Sequence, residues 1–302
     1  MSDRLTVFKT YKLYVGGKFP RSESGRVYEV TTKTSAAGAA GKGKWLANAP
    51  LSSRKDARDA VVAARKAFGG WSGATAYNRG QVLYRVAEML EGRRDQFTRE
   101  VADAEGLSKS KAAAVVDATI DRWVWYAGWT DKIAQVVGGG NPVAGPFFNL
   151  SSPEPTGVVA VLAPQESSFL GLVSVLAPVI ATGNTAIVVA SENAPLPALS
   201  LAEVLATSDV PGGVVNVLSG RTAEIAAPLA AHQDVNAIDL AGADEVLAKE
   251  LEIAAADNLK RVLRPQPVDY AETPGIDRLT AFLETKTVWH PTGSLGASGS
   301  SY

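Results

Sequence analysis

The sequence contains no cysteine and only two histidines, His232 and His290. Without a thiol, the chain can form neither a disulfide nor a thiolate metal site, and it cannot use a cysteine nucleophile. Neither histidine lies in a recognisable nucleophile-elbow motif, so both are interpreted as surface or packing residues rather than members of a Ser-His-Asp triad. A metal site built from several histidines is equally unsupported, and we expect no metal centre.

The sequence also lacks an excess of charge and lacks long hydrophobic runs. Lys and Arg number 30 against 31 Asp and Glu, which gives a net charge of −1. Electrostatics therefore favour neither nucleic acid nor an anionic membrane as a partner. No stretch approaches the roughly 18 apolar residues of a membrane span, and the N-terminal stretch has no signal-peptide pattern. We expect a cytoplasmic protein.

What the chain does contain is enough apolar sequence for a large core, since 46% of its 302 residues are hydrophobic. Residues 11–30 predict a small hairpin, and the Gly/Ala-rich stretch Ala36–Lys44 predicts a flexible loop. Apolar residues then recur at helical spacing, with Ser52 or Ser53 as the first N-cap. The resulting N-terminal helical region comprises helices at about 52–68, 77–91, 94–106 and 108–127.

Strands and helices alternate after Gly157. Each predicted strand is apolar on both faces, which indicates a parallel sheet covered by helices on both sides. The predicted fold class is therefore α/β, a doubly wound nucleotide-binding domain with its ligand at the carboxyl ends of the strands. The strands are predicted at 158–163, 185–190, 214–218 and about 236–240, and the helices at about 168–181, 195–207, 222–232 and 244–256.

The C-terminal part follows a different pattern. The prolines of Arg264–Gly275 exclude continuous regular structure. Leu283–Trp289 alternates as a strand does but has no neighbouring partner in the sequence, so pairing with another edge of the fold or with another subunit stays open. The final stretch 292–302, TGSLGASGSSY, is predicted to be disordered.

Several motifs, in order along Tyr11–Val262, resemble the cofactor-binding part of the aldehyde dehydrogenase superfamily. They read YVGGKF, WYAGWTDKI, EPTGVVAVLAP, LAPVIATGNTAIV, PGGVVNVLSG and NLKRV. The resemblance implies a Rossmann-like domain for NAD or NADP and an oligomerisation arm that includes a terminal strand. It also implies a separate catalytic domain in which a cysteine attacks the aldehyde, a glutamate activates water, and an asparagine amide helps to hold the oxyanion.

The resemblance also indicates which residues would contact the dinucleotide, and several of these positions carry a residue that differs from the family's. Those that remain are Pro164, Gln165, Glu192, Gly220 and Gly242. Val189 stands in place of the lysine that contacts the adenosine ribose, and Leu247 and Thr222 stand where the family has glycines. A bulkier residue at either position removes a close backbone approach.

The catalytic groups implied by the resemblance are missing. Glu166 occupies the position of the oxyanion asparagine, and a carboxylate accepts hydrogen bonds where a neutral donor is required. The position of the catalytic glutamate is Pro265, and the tail-like FLETKTVWHP follows soon afterwards. We therefore predict no catalytic residue. The predicted domains are a cofactor-binding domain at 1–262 with an oligomerisation arm at about 138–157, a linker at 263–278 replacing the catalytic domain, and an oligomerisation tail and disordered terminus at 279–302.

The resulting hypothesis is a catalytically inactive aldehyde dehydrogenase homologue. It would act as a structural or regulatory subunit with a full-length aldehyde dehydrogenase or with itself, and would bind NAD or NADP weakly or not at all. The alternative is an NAD(P)-dependent oxidoreductase that acts on aldehydes through non-standard groups, with Glu166 and Asp239 as candidates. Glu166 is also expected to cap the helix that follows it. A decayed gene product is disfavoured by the intact periodicity of Ser52–Ala256.

Overall fold

A computed structural model describes residues 5, 7–33 and 43–293 of the chain. Residues 36–42 of the predicted loop and residues 294–302 of the predicted disordered terminus lie outside these ranges. Within them, no helix combines the length and the apolar character needed to cross a bilayer.

The described residues form ten strands and ten α-helices. The strands are β1 (Val27–Thr31), β2 (Trp45–Pro50), β3 (Gly139–Asn141), β4 (Phe147–Pro155), β5 (Val158–Leu162), β6 (Thr185–Val189), β7 (Val215–Leu218), β8 (Ala237–Asp239), β9 (Arg261–Leu263) and β10 (Leu283–Pro291). The helices are α1 (Arg54–Ser72), α2 (Ala76–Glu91), α3 (Arg94–Glu105), α4 (Lys109–Ala127), α5 (Ile133–Val137), α6 (Leu170–Ala181), α7 (Leu196–Ala206), α8 (Thr222–Ala231), α9 (Glu245–Ala255) and α10 (Asp277–Thr280).

The centre of the fold is a parallel sheet with the strand order β7-β6-β5-β8-β9. Every residue of β5 and β6 is buried, as the continuous apolar runs predict. One face of the sheet packs against α6 and α7, and the other packs against α1, α8 and α9. The α/β, doubly wound, Rossmann-like prediction is therefore confirmed.

The four predicted N-terminal helices are all present. Helix α1 begins with a capping box, in which the Ser53 side chain accepts from the Asp56 amide and Asp56 Oδ2 accepts from the Ser53 amide at 2.9 Å. Such a cap stabilises a helix by about 1 kcal/mol. Helices α2 to α4 pack beside α6, where the rings of Phe97 and Phe169 stack with their centroids 4.8 Å apart.

The hairpin predicted at residues 11–30 is only partly correct. A tight turn pairs Val15 with Lys18, but Tyr14 forms a bridge to Val217 of the central sheet. Strand β1 pairs antiparallel with β2, which the sequence did not predict as a strand. The sequence of β2, WLANAP, does not alternate between apolar and polar residues. A Gly/Ala-rich segment also separates β2 from β1, so the two strands do not form a recognisable hairpin motif.

The strand predicted near the C-terminal end, β10, finds its partner within the same chain. It pairs antiparallel with β4 over its whole length, from Leu283 opposite Pro155 to Pro291 opposite Phe147. With β3 on the far side of β4, these strands form a three-stranded arm sheet. The connection from β9, residues 264–282, contains only the short α10 as regular structure, and we call it the strap.

Candidate functional site

The residues predicted to contact a dinucleotide all lie at one edge of the central sheet. Pro164 and Gln165 follow β5, Glu192 follows β6, Gly220 follows β7, and Gly242 follows β8. Parallel strands place their carboxyl ends at the same edge, which is the usual position of a ligand in this architecture.

The side-chain amide of Gln165 forms hydrogen bonds with backbone groups of two neighbouring turns. Its Oε1 accepts the backbone N–H of Glu192 at 2.9 Å, and its Nε2 donates to the carbonyl of Ala163 at 3.1 Å. The hydroxyl of Ser191 donates to the Gln165 carbonyl at 3.0 Å. Gln165 therefore ties the turn after β5 to the turn after β6.

The carboxylate of Glu192 has a partner for each oxygen. Oε1 accepts from the Arg221 guanidinium at 2.6 Å, and Oε2 accepts from the Thr222 amide at 3.0 Å. The Arg221 guanidinium also lies 6.0 Å from the centre of the Tyr28 ring. Burial, with a smaller effect from the Glu192 charge, raises the pKa of Tyr28. Glu192 thus joins the turn after β6 to the start of α8.

At the two predicted glycines, other parts of the same chain approach closely. Gly220 has φ of +144°, and a Cβ there would come within 3.1 Å of the Ser52 amide nitrogen. A Cβ on Gly242 would come within 2.0 Å of the Ala163 carbonyl oxygen. Gly242 has no room for a Cβ because the Ala163 carbonyl belongs to the backbone, and the positive φ of Gly220 is one that residues with a side chain rarely adopt.

The expectation that Glu166 caps the following helix is wrong. Its carboxylate is largely exposed and is paired with the ammonium of Lys33, while α6 begins only at Leu170. The turn is held instead by Glu105 of α3, whose Oε1 accepts from the Ser168 amide at 2.8 Å and from its hydroxyl at 2.9 Å. Burial raises the pKa of Glu105, and the bonds from Ser168 partly offset that rise.

Asp239, the other candidate group, is fully buried at the end of β8. Its Oδ2 accepts from the Arg278 guanidinium of the strap at 2.6 Å, and its Oδ1 accepts from the Ala241 amide at 3.0 Å. Burial raises the pKa of Asp239, while Arg278 and the Ala241 amide act in the opposite direction. The carboxylate therefore anchors the strap to the sheet.

A second buried cation holds the strap from the other side. Arg122 of α4 donates to the Ser174 hydroxyl at 2.6 Å and to the carbonyls of Tyr270 and Glu272 at 2.7 and 2.9 Å. Phe282, at the end of the strap, is 2% exposed, and its carbonyl accepts from the Asn184 side chain at 2.9 Å. The strap is thus held by these hydrogen bonds and by two buried residues near its C-terminal end, Leu279 and Phe282, while more than half of its residues are exposed.

Between β1 and the carboxyl edge lies a cavity of about 400 Å³, which we call the crevice. Gln165, Glu166 and Glu192 line it together with Lys33 and Arg221. Sequence reasoning missed both cations, since neither belongs to a motif and Lys33 pairs with a residue more than a hundred positions away. In the part of the chain that the structure describes, no group of three or more His, Asp or Glu residues could hold a metal ion.

Comparison with known proteins gives consistent matches. The model of the aldehyde dehydrogenase family matches residues 29–264. Cytosolic 10-formyltetrahydrofolate dehydrogenase from Mus musculus is 31% identical over 86% of this chain and 28% of its own length. Aldehyde dehydrogenase, cytosolic 1, from Elephantulus edwardii is 31% identical over 83% of this chain and 49% of its own length.

Solved structures agree with these relatives. The NAD+ complex of aldehyde dehydrogenase from Bacillus cereus superposes with a TM-score of 0.75 at 28% identity, over 84% of this chain and 50% of that one. The chain therefore spans about half the length of that structure, and half or less of the two relatives.

Proposed function

The chain belongs to the aldehyde dehydrogenase family, and from that premise we propose that it is a non-catalytic member acting as a structural or regulatory subunit. Its partner would be a full-length aldehyde dehydrogenase or a second copy of itself. The members of the family are NAD(P)-dependent aldehyde oxidoreductases. We propose that this chain keeps their nucleotide-binding fold and an assembly surface without their chemistry, and that it acts in the cytoplasm.

The observation that carries the proposal is the path of the chain from β9 to β10. The strap leads from Leu263 at the edge of the central sheet to Leu283 in the arm sheet, and Leu279 and Phe282 are buried on the way. It occupies the place in the sequence where the resemblance puts a catalytic domain. No cysteine is present anywhere in the 302 residues to act as nucleophile. Loss of the nucleophile alone would cost many orders of magnitude in rate.

The contacts in the crevice support weak or absent binding of NAD or NADP. A ribose hydroxyl that approached Glu192 would have to share its carboxylate with the Arg221 guanidinium and the Thr222 amide, which each bind one of its oxygens. Gly220 and Gly242 are filled by contacts to Ser52 and Ala163, so they leave no open backbone cradle for a pyrophosphate. The residues present therefore do not fit the cofactor in this arrangement, and we derive no catalytic step through it.

The arm sheet supports the assembly role. Strand β10 pairs with β4 along nine residues, and its other edge pairs with no described strand. An unpaired strand edge is able to accept a strand from another chain. We therefore propose that assembly proceeds through this sheet.

Co-expression with a cysteine-containing aldehyde dehydrogenase from the same genome, followed by size-exclusion chromatography, tests the proposal. We expect either a mixed oligomer or a stable self-oligomer with no aldehyde oxidation of its own. The double variant Lys286→Pro/Thr287→Pro, which removes backbone donors from the middle of β10, should abolish either assembly. A monomer that ignores the catalytic relative, or a purified chain that oxidises aldehydes, would refute the subunit role.

A further inference from the structure

A groove outside the crevice lies between α1 and α8, on the face of the central sheet that these helices cover. It has a volume of about 740 Å³ and shares no lining residue with the crevice. We call it the α1–α8 groove. Its principal lining residues are Arg54, Lys55 and Arg58 from α1 and Pro228, Leu229 and His232 from the end of α8.

The charge of the groove is predominantly positive. Three cationic side chains line it against one carboxylate, that of Glu23. Glu23 is shared between the Ser53 hydroxyl at 3.0 Å and the Lys55 ammonium at 3.7 Å. Arg54 forms no ion pair with any residue that the structure describes, and Arg58 reaches only its sequence neighbour Asp59, at 3.2 Å. Two guanidinium groups therefore remain able to bind an anion.

The ring of His232 adds a hydrogen-bonding group. Its Nδ1 accepts the backbone N–H of Asp234 at 3.1 Å. A neutral imidazole that accepts at Nδ1 carries its proton on Nε2, so this ring can donate one hydrogen bond to an oxygen acceptor.

The floor of the groove is aliphatic. Ala57, Pro228, Leu229 and Ala231 line it, and no Phe, Tyr or Trp among the described residues does so. A nucleotide base would find no aromatic ring on which to stack, whereas an alkyl chain would lie on aliphatic carbon. The volume falls within the roughly 300–1,000 Å³ of small-molecule sites, which are mostly apolar with a few convergent polar groups.

From this combination we infer that the α1–α8 groove binds an amphipathic organic anion. A phosphate or carboxylate head would bind Arg54 and Arg58, and an aliphatic body of moderate length would lie against Pro228 and Ala231, the accessible aliphatic residues of the lining. The inference is independent of the proposed subunit role, because it uses neither the crevice nor the arm sheet.

Calorimetric titration with decyl phosphate, below the concentration at which it forms micelles, tests the inference. We expect saturable binding to the wild-type chain and at least tenfold weaker binding to Arg54→Glu/Arg58→Glu. The variant Arg99→Glu, an exposed arginine of α3 outside the groove, controls for charge and should bind within about twofold of the wild type. Ala231→Trp fills the groove from an exposed position and should abolish binding.

Two further probes extend the test. Decanol shows whether the anionic head of the ligand is required, and vesicles show whether the ligand is a membrane surface or a free molecule. Decanol, which has the alkyl chain without the charge, should bind at least tenfold more weakly than decyl phosphate. Vesicles containing an anionic phospholipid should not bind. Absence of saturable binding to decyl phosphate, equal binding by the groove and control variants, or binding to vesicles alone would overturn the inference. Circular dichroism of each variant confirms that it is folded.

Discussion

The crevice and the arm sheet use their hydrogen-bonding groups in opposite ways. In the crevice, Gln165 and Glu192 bind groups of their own chain, and Arg221 completes the closure. In the arm sheet, β10 pairs along one edge and offers its other edge to no described strand. The polar groups of the crevice are therefore paired within the chain, while one edge of the arm sheet pairs with no strand among the described residues.

The strap connects the central sheet to the arm sheet and is held by a few buried groups. Phe282 and Leu279 enter the core, and Arg278 reaches a fully buried carboxylate. Exposed pairs such as Lys33 with Glu166 contribute little by comparison, because solvent screens them. This difference in burial gives the order of the expected effects below.

The largest effect is expected from Phe282→Ala. Removing a buried phenyl ring leaves a cavity and should lower the free energy of unfolding by about 3–5 kcal/mol. Phe148→Ala, at a position of β4 that is 51% exposed, is the matched control and should cost less than about 1 kcal/mol. Urea unfolding followed by circular dichroism measures both. Equal losses would mean that the strap is not part of the core.

The next effect is expected from Arg278→Met, which leaves the buried Asp239 carboxylate without its cation. The cost near neutral pH should be about 3 kcal/mol. Burial raises the pKa of Asp239 and Arg278 opposes that rise, so the pKa should rise further in the variant than in the wild type. Protonation on acidification therefore favours the folded state of the variant more than that of the wild type, and the cost should shrink as the pH falls below neutral.

Urea unfolding of the wild type and of Arg278→Met at each pH measures this dependence. Arg278→Lys is the control, since it retains a charge that can pair with Asp239, and it should cost less than the methionine variant. A cost that is constant or grows on acidification would contradict the assignment of the effect to Asp239.

A smaller effect on stability, but a diagnostic effect on binding, is expected from Arg221→Ala. The ion pair with Glu192 is partly exposed, so the free energy of unfolding should change little. Release of Glu192 should, however, give saturable NAD binding in a calorimetric titration that shows none for the wild type, because the ion pair no longer closes the crevice. Arg221→Ala/Glu192→Ala is the control and should show no gain. Unchanged binding in both variants would show that Arg221 does not close the site.

The smallest effect is expected from Glu166→Gln. The carboxylate is 80% exposed and pairs only with Lys33, so the loss of stability should stay below about 0.5 kcal/mol. Glu105→Gln, which weakens the buried acceptor for Ser168, should cost more. Thermal unfolding of both variants tests whether Glu105 rather than Glu166 holds the turn before α6.

Much of the fold could be predicted because its signals are local. Continuous apolar runs identified β5 and β6, and helical spacing with Ser53 as a cap identified α1. Strand β2 was missed because its sequence lacks alternation. The partner of β10 could not be read from the sequence, since β4 lies more than a hundred residues away.

The candidate site was predictable in position but not in its contacts. The strand-end rule and the resemblance placed Gln165, Glu192 and Gly242 at one edge. The closure by Arg221 depends on a side chain from another loop, and the role of Glu105 depends on the packing of α3 against the turn. Such contacts arise from tertiary structure and leave no periodic signal in the sequence.

The central claim is that the crevice no longer supports the dinucleotide chemistry of the family. Isothermal titration of the purified chain with NAD and with NADP, both at up to millimolar concentration, tests it most directly. We expect no saturable heat for either nucleotide in the wild type. Micromolar binding of either one, accompanied by its reduction when an aldehyde is added, would contradict this claim.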